Sequence, residues 1–317
     1  MPDAVLEYAF VADDRSAARI ALGAVPLLAG LSLVLAPIAL GLSALLLPLD
    51  LTLAALAGLI GVTAAIVIVI VYLQTRKAMR AGHPPASVST ARYDAVIRVA
   101  DERREQQLPY PFFVGVRASR TVVVLRPRFG QPLVLPAELC PPAARARVAS
   151  GIAAGWTPVP DLSGFTHVSH IDPDAARRIV RRGLATQLTY PSGIFTLALV
   201  VVLALAAQAI GGPLLALPTA LGMLVLIGAL VLVVRAHALR ELTGETVRTR
   251  FDDAGFTLYE RGVITRRPYS DVERLRVAGG LLVARFRDSA ASEVFPAELF
   301  PPEAIARFAA AGARLIS

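Results

Sequence analysis

Residues 133–149 read LVLPAELCPPAARARVA, and residues 293–309 read EVFPAELFPPEAIARFA. Eleven of these 17 positions are identical at an offset of 160, close to half of the 317-residue chain. The shared set contains Pro136/Pro296, Glu138/Glu298, Leu139/Leu299, Pro141/Pro301, Pro142/Pro302 and Arg147/Arg307. Alanine-rich helices match one another by chance. Prolines and a glutamate held at fixed spacing around a leucine do not, so the chain reads as an internal duplication. Weaker echoes lie upstream. Pro109-Tyr110 corresponds to Pro268-Tyr269, and Asp14, Ala17, Ala18 and Arg19 correspond to Asp172, Ala175, Ala176 and Arg177.

Each repeat opens on a strand signal. Leu6, Tyr8 and Phe10 alternate with Glu7 and Ala9, a period of two. Phe165, His167 and Ser169 hold the corresponding place, followed by Asp172 as a helix N-cap, Pro173 at the first helical position and Asp174 in the first turn. Ahead of the second motif, strands are expected over Thr246–Phe251, Phe256–Tyr259, Val263–Thr265, Val272–Val277 and Leu281–Phe286, with glycine-bearing turns at Glu260-Arg261-Gly262 and Gly279-Gly280. A helix is expected after Pro301-Pro302, with Ile305, Phe308, Gly312 and Leu315 on one stripe. The domain reading is 1–154 for the first repeat, with its β segment at about 90–136 and its helix over 141–154. The second repeat is 155–317, with a strand over 164–170, a β segment at about 246–296 and a helix over 301–316.

Between the opening strand and the β segment, each repeat carries long runs free of charge. Ile20–Leu49 and Leu51–Leu73 flank Asp50; Leu188–Ile210 and Pro213–Val234 flank Gly211-Gly212. About 20 apolar residues cross a bilayer core, so the expectation is two transmembrane hairpins, about 20–73 and 188–234, four helices in all. The first run exceeds one upright span and is expected to tilt or to kink near Pro26 or Pro37. Basic residues flank the hairpins: Arg76, Lys77 and Arg80 after the first, Arg177, Arg178, Arg181 and Arg182 before the second, Arg235 and Arg240 after it. The positive-inside rule then places both termini and both β segments in the cytosol of a multi-pass cell-membrane protein. The expected fold class is membrane α+β with an internal duplication.

Phe251–Phe308, above all Val294-Phe295-Pro296-Ala297-Glu298-Leu299-Phe300, and to a lesser degree Tyr93–Val148, resemble the YcxB-like family of bacterial membrane proteins. Each half resembles one such protein, so the chain looks like a tandem of two. The resemblance implies a small antiparallel-β PH-like fold for each cytosolic segment. The doubling departs from the family pattern, and the first copy lacks the tidy glycine hairpins of the second. No catalytic motif belongs to the family.

The composition narrows the function classes. The chain is 55% hydrophobic and 18% charged, with a net charge of +8; ordinary soluble domains are about 45–50% apolar and about 25% charged. One cysteine, Cys140, excludes an intrachain disulfide framework. Its duplicate is Phe300, so it reads as filling an apolar site. His167 and His170 form an H-x-x-H with no further ligand beside it, where a metal needs three or more. Glu138 and Glu298 read as carboxylates complementing a helix start rather than as an acid/base pair.

No phosphate-binding, dinucleotide-binding or zinc-protease motif is present. No enzyme, cofactor or metal is therefore expected, and no nucleic-acid partner, because the arginines sit mainly at the edges of the apolar runs. From Arg76 to Leu188 the chain nonetheless carries 17 basic and 8 acidic residues. Near a membrane surface each basic residue gains roughly 1 kcal/mol on anionic lipid. The reading is a scaffold, sensor or assembly protein whose β modules bind a peptide, a lipid head group or each other, its partners being membrane lipids with a protein partner or a second copy. The alternative is a small transport component built from two repeats.

Overall fold

The strand-forming period of two is kept where the chain begins. In a computed structural model that describes residues 5–128, 132–156, 160–188, 213–287 and 292–316, β1 (Leu6–Val11) buries Phe10 and half-buries Leu6 and Tyr8, while Glu7 and Ala9 stay partly or fully exposed on the other face. Then come α1 (Ser16–Leu28), α2 (Gly30–Leu46) and α3 (Leu51–Gly82). The first β segment follows as β2 (Val88–Tyr93), β3 (Ile97–Ala100), β4 (Glu105–Leu108), a 3-10 turn (Tyr110–Phe112), β5 (Phe113–Ala118), β6 (Val122–Pro127) and β7 (Leu133–Pro136), closed by α4 (Pro142–Ala154).

The second half repeats the order. β8 (His167–His170) leads to α5 (Pro173–Leu188) and α6 (Pro213–Leu242). β9 (Thr246–Phe251), β10 (Gly255–Glu260), β11 (Val263–Pro268), a 3-10 turn (Tyr269–Asp271), β12 (Val272–Ala278), β13 (Leu281–Phe286) and β14 (Ser292–Pro296) precede α7 (Pro302–Ala310) and β15 (Arg314–Ile316).

The strands form three sheets. The largest has the order β1-β2-β3-β4-β11-β10-β9-β8, so four strands of each repeat lie side by side. β4 and β11 make the joint, antiparallel, with Glu105↔Arg266, Gln106↔Thr265 and Gln107↔Ile264. The order is palindromic about that joint. At the offset of 159 that aligns Tyr110 with Tyr269, Gln106 is the counterpart of Thr265, its own partner across the pair. A local two-fold axis therefore passes through Gln106 and Thr265, whose side chains hydrogen-bond at 3.4 Å, the amide Nε2 donating to the hydroxyl. The remaining strands form a three-stranded sheet, β5-β6-β7, and a four-stranded one, β14-β13-β12-β15.

The chain divides into two compact units that cut across the repeats. One comprises Met1–Leu28, Val71–Ile171 and Glu245–Ser317 and holds all the described strands; the other comprises Ala29–Ile70 and Asp172–Gly244, and its described elements are helices. In the β unit, Tyr93, Ile97, Tyr110, Phe113, Leu125 and Leu139 are fully buried in the first repeat. The second repeat packs Phe251, Phe256, Phe286, Phe300 and Phe308 around one another, Phe256 lying edge-on to Phe308 at 5.3 Å.

In the helical unit, α2 and α3 meet through small side chains. A Cβ on Gly58 would lie 2.8 Å from the Ser43 hydroxyl oxygen, and one on Gly61 would lie 2.6 Å from Leu40 Cγ. Ser43 donates to the Ala54 carbonyl at 2.6 Å. At the turn between them, Asp50 caps α3 by accepting from the Leu53 N–H at 3.0 Å. Ala54, Gly58 and Gly61 thus lie where the two helices touch, as small residues at helix contacts do.

Several expectations are corrected. Among the described residues the fold is mixed α/β, with sheets of eight, three and four strands that are antiparallel except where β15 joins β12, and not the expected four transmembrane helices with two PH-like domains beneath them. Edge pairing of β4 with β11 merges the two expected PH-like modules into one sheet. Among the described residues one helical stretch, Ile60–Gly82, is long and apolar enough to cross a membrane, or two if Ser16–Leu28 and Ser32–Leu46 count together.

The physical reason is that a charge-free run need not be one lipid-facing helix. Ile20–Leu49 is interrupted at Ala29, which separates α1 from α2. The α1 part also belongs to the β unit: Ile20 and Ala24 are buried in its core, and Gly23 abuts Thr121 and Val122. Of the other two expected crossings, residues 189–212 and the side chains of 213–220 lie outside the described set.

The C-terminal helix is also shorter than expected. It ends at Ala310, Gly312 takes φ +96°, and Arg314–Ile316 turn back as β15. A left-handed glycine stops a helix that the apolar stripe alone would continue.

Candidate functional site

The duplicated motif builds a corner in each half. Pro136 ends β7 opposite Val122, and Pro296 ends β14 opposite Leu281. The next turn buries Leu139 and Leu299 completely. Each leucine carbonyl is tied to the large sheet, by the Tyr93 hydroxyl at 2.9 Å in one half and the Thr249 hydroxyl at 2.6 Å in the other. Pro141 and Pro301 sit at the N-caps of α4 and α7, and Pro142 and Pro302 are the first helical residues, where a missing N–H costs nothing.

Glu138 and Glu298 are exposed. Glu138 pairs with Arg19 at 3.4 Å, both about half exposed, a pair worth little in stability. The repeated arginine and tyrosine form a clamp. Arg147 and the Tyr110 hydroxyl donate to the Asp94 carbonyl at 3.2 and 3.0 Å; Arg307 and the Tyr269 hydroxyl donate to the Asp252 carbonyl at 2.7 Å each. The residues shared by both repeats therefore hold turns and helix starts in place.

The titratable groups in the core have structural explanations as well. Cys140 is 1% exposed, and burial pushes its thiol above the ordinary range. Phe300 fills the same place in the second half, 4% exposed. Arg267 and Asp271 form a buried ion pair, with the guanidinium 4.4 Å from the Phe286 ring centroid. Their counterparts at an offset of 159 are Leu108, buried, and Phe112, half-buried, so the first half has an apolar pair in these places. Spacing alone could not have flagged this pair, because only one repeat carries it.

His83 is buried at the end of α3, its Nδ1 2.6 Å from the Ser89 hydroxyl and its ring edge-on to Phe10. His167 lies edge-on to Phe251 and His170 Nδ1 is 3.3 Å from the Thr246 hydroxyl, so this H-x-x-H serves β8. Among the described residues, no group of three His, Cys, Asp or Glu is placed to hold a metal ion.

The basic residues flanking the apolar runs are held at the surface. Arg76, Lys77 and Arg80 are exposed on the last turns of α3. On α5, Ala176, Ile179 and Val180 are buried while Arg177, Arg178 and Arg181 are exposed and Arg182 is half-buried. Asp172 caps that helix by accepting from the Ala175 N–H at 2.6 Å, and Asp174 pairs with Arg177 at 3.0 Å. Arg235 and Arg240 are exposed on α6. A second basic region lies on β5 and β6, where Arg117, Arg120, Arg126 and Arg128 are all exposed. The sequence contains no Asp or Glu between Glu105 and Glu138, a signal that could have been read earlier.

No protein-family model, curated protein or solved structure matches this chain.

Proposed function

We propose that the protein is a non-enzymatic, membrane-attached scaffold, its helical unit held by lipid and its β unit facing the cytosol. One observation carries this reading. Along α2, α3 and the turn between them, small side chains are inside and large aliphatic ones outside. Ala36, Ala39, Ala54 and Ala57 are buried, whereas Ile38, Leu45, Leu49 and Val69 are each more than half exposed. Water disfavours that inversion by roughly 25 cal/mol for every Å² of apolar surface; lipid does not, and small residues at helix contacts suit it. The exposed arginines of α5 and α6, in the same unit, suit the charged head-group layer.

Alkaline carbonate extraction of membranes from expressing cells tests the reading. The full chain should stay in the pellet and be released only by detergent. Recovery in the carbonate supernatant overturns membrane embedding.

A further inference from the structure

The two halves differ at one sheet edge. In the second half β15 joins β12 as a parallel strand, with Arg274↔Arg314, Leu275↔Leu315 and Arg276↔Ile316. β5 is the counterpart of β12 at an offset of 159, so Gly115, Val116 and Arg117 occupy the equivalent places. Among the described residues β5 pairs only with β6. The cause lies in the following helix. Where α7 stops and the chain turns back as β15, α4 runs on to Ala154, ends at the left-handed Gly155, and leaves Trp156 edge-on to Tyr110 at 5.6 Å. At the motif's offset of 160 the places of Arg314–Ile316 fall on Ala154, the last helical residue, on Gly155 and on Trp156, and none of the three is in a strand. Among the described residues, the first half has the seat without the strand.

The chemistry of that seat selects its occupant. Val114 is 55% exposed, and Arg117 and Arg126 extend from the same sheet face, because Arg126 pairs with Gly115, two residues from Arg117. In the second half Glu273 of β12 lies 3.1 Å from Arg285, the counterpart of Arg126, and 3.5 Å from Arg274. No carboxylate plays that part on β5 and β6. Two such edges would repel each other, which disfavours a second copy of the same strand. We infer that the free edge of β5 receives an extended acidic segment of a partner protein as an added parallel strand, in the place β15 fills on β12. Main-chain hydrogen bonds supply affinity in this mode, and side-chain pockets and charge supply selectivity. The inference rests on the scaffold reading but not on membrane attachment.

The test uses the full chain in neutral detergent, so that membrane embedding does not enter the result. The probe is a fluorescein-labelled peptide alternating glutamate with valine, read by anisotropy beside its lysine-for-glutamate counterpart. Saturable binding of the acidic peptide alone is expected. Arg117→Glu with Arg126→Glu should weaken it by about tenfold or more, the equivalent of about 1.4 kcal/mol. Val116→Pro should abolish it by removing a backbone donor; should that variant misfold, as seen in tryptophan fluorescence, the arginine pair decides the matter. Absence of binding, equal binding of the lysine peptide, binding undiminished by the arginine pair, or binding only to phosphatidylglycerol vesicles would each overturn the proposal.

Discussion

At the scale of single residues, His83 shows how burial converts a side chain into a pH-dependent element. Its ring is 6% exposed, and desolvation holds its pKa below the ordinary value of 6.5, with the Asp101 carboxylate opposing the shift. The unfolded chain therefore binds a proton near pH 6.5 that the folded chain refuses until lower pH. Stability should be fully present above that value and fall as the medium is acidified through the window below it. Thermal unfolding in detergent between neutral and mildly acidic pH should show this decline, and His83→Gln should flatten it. An unchanged slope in the variant would assign the acid sensitivity elsewhere. In the sequence His83 simply follows an apolar run and its basic flank. Its contact with Ser89 and Phe10 depends on β1 and β2 pairing, which no local signal encodes.

At the scale of elements, α4 packs on the first β segment at a point that admits no side chain. A Cβ on Gly151 would stand 2.5 Å from Tyr110 Cγ, and Tyr110 is fully buried with its hydroxyl committed to the Asp94 carbonyl. Gly151→Ala gains helix propensity of up to about 1 kcal/mol, but overpacking a filled core costs about 1–3 kcal/mol. A net loss is expected, measurable as a lower denaturant midpoint with unchanged m-value; a stabilised variant would show that the tyrosine can move aside.

Elements were also where the sequence was most readable. Period-two alternation in Leu6–Phe10 and the Asp172-Pro173 start stand in the structure as β1 and the beginning of α5. The C-terminal stripe misled because its apolar spacing continues through Gly312, where the backbone does not. The charge-free runs misled for a related reason: they record composition, while Ala29 and the burial of α1 depend on contacts far along the chain.

At the scale of the molecule, duplication was legible in the prolines, but the way the copies meet was not. Three residue pairs between β4 and β11 decide it, in strands whose Gln106, Gln107 and Thr265 carry no apolar pattern. Cysteines at Gln106 and Thr265, in a Cys140→Ser background, should oxidise to a disulfide within one chain, since residues directly opposite in antiparallel strands lie about 4.5–5.5 Å apart at Cα. Faster migration on a non-reducing gel would record it. Linkage only between chains would show that the joint forms intermolecularly.

The near-symmetry at that joint carries a consequence for assembly. Equivalent edges that face each other about a dyad make a self-complementary surface, the kind by which separate identical subunits associate in pairs. Here a peptide link joins the partners, so their docking is first-order and no dilution can part them. Freed from having to be identical, the halves can specialise: one adds β15 to its outer sheet, and in the other, among the described residues, the same edge carries no added strand.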